Sequence, residues 1–144
     1  MRRLAAVLLV SLVGVTSAQD AATELKTLEG AYQVKALARG GVDAPAEVKD
    51  AIKSVQIKGG KLIVTIADEV NTAKLTVDPG KKPAHIDLLA DDESEKGKTF
   101  SGIYNLEKGE LTIVYVEGKE RPKDFDAKGE GIMRLVLTRK EKDK

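Results

Sequence analysis

The sequence predicts an all-β domain, an antiparallel up-and-down barrel of about eight strands, and three observations predict it. Apolar residues recur with period two through most of the chain beyond Gly30. Short turn signals separate those runs, at Gly40-Gly41, Gly59-Gly60, Asp78-Pro79-Gly80 and Lys108-Gly109. Cysteine is absent, so no disulfide framework replaces a closed sheet and a buried core. Closure removes both exposed edges of a sheet, which favours a barrel; a β-sandwich is the alternative that the same periodicity allows.

Residues 1–18 stand apart from this pattern. Met1-Arg2-Arg3 is basic, Leu4 to Val15 is apolar apart from Ser11 and Gly14, and Thr16-Ser17-Ala18 is small, ahead of Gln19. That order is the order of a cleavable export signal. The apolar run falls short of the ~20 residues a helix needs to span a bilayer, so it reads as a signal and not an anchor. The expected organisation is a signal at 1–18 and one domain at 19–144, exported to the periplasm or beyond, with no membrane span in the mature chain.

Within the domain, Leu25 and Leu28 with Ala21 and Ala22 predict one or two helical turns, ended by Gly30. The first strand follows, with Tyr32, Val34 and Ala36 on one face and Gln33, Lys35 and Leu37 on the other. Pro45 to Ile52 predicts a short amphipathic helix, since Val48 and Ile52 lie four apart. Val55–Lys58 and Lys61–Ile66 form a hairpin about Gly59-Gly60. Asn71 to Val77 places Ala73, Leu75 and Val77 on one face, and Ile86 and Leu88 alternate with His85 and Asp87. Beyond the polar loop 91–98, Phe100, Gly102, Tyr104 and Leu106 share a face before the Lys108-Gly109 turn. The strand at Leu111–Val116, the charged and glycine-containing loop 117–131 and the strand Ile132–Arg139 complete the domain.

The chain resembles an uncharacterised exported domain family expanded in planctomycete bacteria, with a lipocalin-like strand order. The residues that carry the resemblance are Leu28-Glu29-Gly30-Ala31-Tyr32, Lys82-Pro83-Ala84-His85-Ile86-Asp87-Leu88, Phe100-Ser101-Gly102-Ile103-Tyr104, and Lys119-Glu120-Arg121-Pro122 with Phe125. It spans roughly residues 25–139. Where the family has tryptophan, this chain has Tyr32. The resemblance implies a lipocalin-like barrel and brings no established activity. It also implies a structural pairing: Arg139, on the face of Met133, Leu135 and Leu137, would lie over Tyr32 and close the barrel base by a cation–π contact.

Sites for chemistry are few. His85 is the one histidine, and no G-x-S-x-G elbow accompanies it, so neither a histidine-activated nucleophile nor a zinc site of the usual kind is expected. The acidic run Asp91-Asp92-Glu93-Ser94-Glu95 lacks the spacing of an EF-hand loop. Gly129-Glu130-Gly131 lacks the strand-then-helix setting of a phosphate loop. A formal charge of +1 supplies no basic field for nucleic acid. Three tyrosines and two phenylalanines are few for sugar platforms, and no carboxylate pair is singled out by spacing. No catalytic residue, metal or cofactor is therefore expected.

What remains is binding. Tyr32, Phe100, Tyr104 and Tyr115 are candidates to line a pocket or to fill a solid core. Arg121, in the long loop before the last strand, offers either a grip for an anionic ligand group or an ion pair holding that loop. The expected function is a noncatalytic barrel that binds a small apolar ligand or an envelope component; the alternative is a protein-interaction module with a packed interior. Expression of residues 1–144 in a bacterial host followed by intact mass measurement is expected to show a mature chain beginning at Gln19. A secreted chain retaining Met1 would refute the signal reading.

Overall fold

A computed structural model describes residues 17–91, 96–118, 120–126 and 128–140. Residues 1–16, and with them nearly all of the predicted export signal, lie outside the described residues, as do most of the acidic run at 92–95 and the tail at 141–144. The elements run α1 (Ser17–Leu28), β1 (Gly30–Arg39), β2 (Val42–Asp43), α2 (Ala46–Ala51), β3 (Ile52–Lys58), β4 (Lys61–Ile66), β5 (Glu69–Asp78), β6 (Ala84–Ala90), β7 (Thr99–Glu107), β8 (Glu110–Glu117) and β9 (Met133–Arg139). Among the described residues no helix is long and apolar enough to cross a membrane.

The expected barrel is present. Strands β3 to β9 pair antiparallel, each with the next, and β1 joins β3 on one side and β9 on the other. Eight strands therefore close on themselves, and the two-residue β2 is an addition folded back on the end of β1 at Ala38↔Asp43. The hairpins at Gly59-Gly60, Asp78-Pro79-Gly80 and Lys108-Gly109 turn where the sequence places them, while β4 and β5 turn at Ala67-Asp68, which the sequence reading did not mark; Gly59 and Gly60 both hold positive φ, at 60° and 77°. That combination suits the right-handed twist of the flanking strands and is open to glycine at little cost.

Period-two alternation sets the inward face of most strands. Leu75 and Val77 of β5, Ile86 and Leu88 of β6, Tyr104 of β7, Leu111 and Ile113 of β8, and Leu135 and Leu137 of β9 are buried in one core with Leu28 and Tyr32. In β1 the alternation breaks. The register against β9 shifts between Val34 and Ala36, so Leu37 and not Ala36 packs on the core. One extra residue in a strand reverses every face beyond it, and the sequence reading of Ala36 as inward is corrected accordingly.

The pairing of β1 is unequal on its two sides. It runs beside β9 from Tyr32 to Arg39 but meets β3 only at Gly30, Ala31 and Tyr32. Beyond Tyr32 the two strands part, and α2 crosses between them, with Ala44 N–H bonded to the Leu37 carbonyl at 2.7 Å just ahead of it. Helix α2 buries no residue fully. It is a cover resting over a gap, not a core element.

At the other end α1 plugs the barrel. Ala21, Leu25 and Leu28 are spaced by four and three, share one helical face, and pack on the core. Arg139, directly opposite Tyr32 in the sheet, ties plug to barrel. Its guanidinium carbon lies 5.5 Å from the Tyr32 ring centroid. It donates to the Thr27 carbonyl at 2.6 Å and to the Tyr32 hydroxyl oxygen at 2.9 Å. The Tyr32 hydroxyl in turn donates to the Leu28 carbonyl at 2.5 Å. A cation thus satisfies the Thr27 carbonyl in the last turn of α1, where the helix dipole also favours positive charge. Gly30, between α1 and the strand, holds a φ of 152°, a conformation that residues with a side chain rarely adopt.

A double-mutant cycle on Tyr32→Ala and Arg139→Ala, followed by chemical denaturation, is expected to give a coupling of ~1 kcal/mol. Additive losses would show that the two side chains stabilise the barrel independently.

Candidate functional site

The barrel interior divides into a solid half and a hollow half. Tyr32 and Tyr104, both proposed from sequence as pocket residues, lie in the solid half at the α1 end, at 0% and 3% exposure. Burial, with Glu24 beside it, pushes the Tyr104 hydroxyl well above the usual tyrosine range. Neither residue lines either of the chambers at the other end.

The hollow half holds two adjoining chambers. The outer one, about 520 Å³, opens among the loops that follow β1, β6 and β8, and Arg39, Lys98, Phe100 and Glu117 stand in its wall. The inner one, about 510 Å³, lies beneath α2 and between the parted strands β1 and β3, walled by Leu37, Val48, Ala51, Ile52 and Val55. Leu62, Val64, Asn71, Tyr115 and Met133 belong to both walls and mark the passage between them. Each volume is in the range of sites for small organic ligands, ~300–1,000 Å³.

Of the sequence candidates, Phe100 and Tyr115 come together here. Their rings meet edge to face, with centroids 5.7 Å apart and planes at 89°, a favoured aromatic geometry. Gly102 makes room for the pair. A Cβ at that position would lie 2.5 Å from the Val114 carbonyl oxygen and 2.9 Å from Tyr115 Cβ, so no larger residue fits opposite Tyr115. Desolvation raises the Tyr115 hydroxyl above its ordinary pKa, which keeps it a neutral hydrogen-bonding group in a passage where Asn71 is the other polar residue.

Sequence reasoning passed over Arg39, Asn71 and Met133. Asn71 and Met133 were legible by alternation with Ala73 and Leu135. Arg39 was not: strict alternation from Tyr32 turns it outward, and the bulge in β1 turns it toward the cavity.

Arg121 lies elsewhere, in the wall of neither chamber. The segment between β8 and β9 folds back over the outside of the barrel, where Phe125 and Ile132 pack on Ile103 and Val114. Arg121 fastens that segment. Its guanidinium lies 2.8 Å from an Asp87 carboxylate oxygen and donates to the carbonyls of Gly102 at 2.8 Å and Ile86 at 3.2 Å. Strand alternation turns Asp87 outward, so Arg121 must follow it. The ion pair holding the loop, one of the two roles open at the sequence level, is the geometry found.

His85 shares this outer face, beside Arg121, Asp78 and Asp87. Desolvation, then the charges of Arg121 and Lys81, lower its pKa against the opposing pull of Asp78 and Asp87. Asp91, at the end of β6, accepts a hydrogen bond from the Thr72 hydroxyl and lies 3.2 Å from Lys61 Nζ. The Thr72 hydrogen bond, then the neighbouring Lys61, hold its carboxyl below the usual range despite some desolvation.

Comparison with family models, curated proteins and solved structures finds no match for this chain.

Because the folded state holds the His85 pKa below its ordinary value of 6.5, the unfolded chain takes up that proton first as pH falls. Stability tied to neutral His85 is complete above 6.5 and is lost as the solution is acidified through and below it. His85→Gln is expected to lessen the drop in Tm between neutral pH and about pH 5. An unchanged acid slope in thermal melts would refute this.

Proposed function

We propose that this chain is a noncatalytic exported domain that carries or captures a small apolar molecule in the hollow half of its barrel. The observation that carries the reading is the inner chamber, about 510 Å³ with walls of Leu37, Ile52, Val55, Val64 and Leu135. An unfilled apolar cavity forfeits dispersion contacts and costs stability, so a ligand supplying those contacts has a driving force for entry. The exposed Val48 and Ile66, at 45% and 39%, border this chamber and leave an apolar passage to solvent. The cavity favours this reading over an interaction module with a packed interior.

Export to the envelope rests on the signal-like residues 1–18, and the resemblance to an exported planctomycete family accords with it. Under this reading the partner is a small molecule of the envelope, or an envelope component that delivers one.

Native mass spectrometry of the domain purified from its own envelope is expected to show a retained small molecule. Binding of the apolar dye 1-N-phenylnaphthylamine is the parallel measurement. Val64→Trp fills the passage shared by both chambers and is expected to weaken dye binding by roughly tenfold or more, with the far-ultraviolet circular dichroism of the barrel retained. Equal dye binding by the folded variant, or no binding by the wild type, would overturn the proposal.

A further inference from the structure

We infer that the ligand is an amphiphile with an anionic head, its chain in the inner chamber and its head at Arg39 in the outer one. This rests on the proposal that the cavity binds an apolar molecule and adds the chemistry of the ligand's polar end.

The two chambers differ in character. Apart from Asn71 and Tyr115, which it shares with the outer chamber, the inner wall is apolar, and its one charged residue is Glu47 on the exposed helix α2. Charged and polar side chains gather in the outer wall, where Arg39, Lys98, Glu117 and Thr72 stand. A molecule occupying both chambers therefore has one apolar and one polar end. A uniformly apolar ligand would leave the outer wall unused, and a compact polar one would be desolvated in the inner chamber without partners.

The sign of the head follows from the charges. Lys98 and Glu117 face each other at 3.9 Å, so their fields largely cancel. Arg39 adds a second cation to that wall, and among the described residues no carboxylate lies within salt-bridge distance of it. The last residue of β1, it is paired with Met133 across the sheet and exposed at the mouth. Its planar donor fork matches a carboxylate, sulfate or phosphate in two-point contact, which a single ammonium group cannot copy. Among the described residues of its wall the mouth thus offers net positive charge to a head, from Arg39, and the inner chamber offers apolar surface to a chain.

The test uses displacement of 1-N-phenylnaphthylamine from delipidated protein at mildly alkaline pH and low salt, by palmitate, cetyl alcohol and cetylamine. These share one chain and differ in head charge. Palmitate is expected to displace the dye at roughly fivefold lower concentration than cetyl alcohol, the scale of an exposed ion pair, with cetylamine weakest. Arg39→Gln is expected to abolish the preference for palmitate while leaving the alcohol unchanged, and added salt to shrink the preference in the wild type. Arg39→Lys keeps the charge without the fork and is expected to retain part of the preference. If palmitate and alcohol displace equally, or the preference survives in Arg39→Gln, the anionic-head assignment fails while binding of the apolar chain stands. If no compound displaces the dye, or the dye does not bind, the cavity reading itself fails and this assignment falls with it.

Discussion

Strand β1 has to serve two edges at once, and it does so unequally. Beside β9 it is paired from Tyr32 to Arg39, which closes the sheet and leaves neither end strand open for association. Beside β3 it is paired only through Gly30–Tyr32, and from there the strands part. Where they are joined on both sides, side chains from opposite walls meet and the interior is solid. Where they part, the wall is completed by α2, a six-residue helix that contributes Val48 and Ala51 to a cavity instead of a buried face to a core. The hollow half is thus a consequence of how far one pairing extends.

The solid half bears the work of stability. With no cysteine in the chain, burial and hydrogen bonding at that end must offset the entropy of folding. Arg139 gathers several of these contacts in one side chain, holding the Tyr32 ring, a carbonyl of α1 and the strand pairing that closes the barrel. Leu28 and Tyr32, both at 0% exposure, fill the space beneath it. A well-packed base allows the opposite end to forgo contacts, since cavities and exposed apolar rims cost stability that the base supplies. Binding sites are commonly placed this way, on loops and strand ends held by a rigid scaffold.

The outer surface shows the same economy of anchors. The described residues between β8 and β9 form no helix or strand, yet Phe125 and Ile132 seat the segment on Ile103 and Val114, and Arg121 pins it through Asp87 and two strand carbonyls. An arginine that looks available to a ligand in sequence is engaged in holding the loop. His85 stands beside this anchor, so acidification places a second cation next to Arg121 and opposes the contact that keeps the segment down.

By itself the sequence determined the fold class, the turns at Gly40-Gly41, Gly59-Gly60, Asp78-Pro79-Gly80 and Lys108-Gly109, and the inward faces of β5, β6, β7 and β9, because side chains on a strand alternate and Leu75, Ile86, Tyr104 and Leu137 each mark a face locally. It also marked the plug helix, through the spacing of Leu25 and Leu28, whereas the pairing of Arg139 with Tyr32 was implied by the lipocalin-like resemblance. What alternation cannot reveal is where a register slips or how far two strands stay together, since both depend on a partner distant in the chain. The bulge after Val34 turned Leu37 and Arg39 inward, and the short β1–β3 pairing separated Phe100 and Tyr115, which line the cavity, from Tyr32 and Tyr104, which do not. Tertiary structure likewise decided the side of the wall on which Arg121 lies, because a loop's path is set by the surface it finds to cover and not by its own residues.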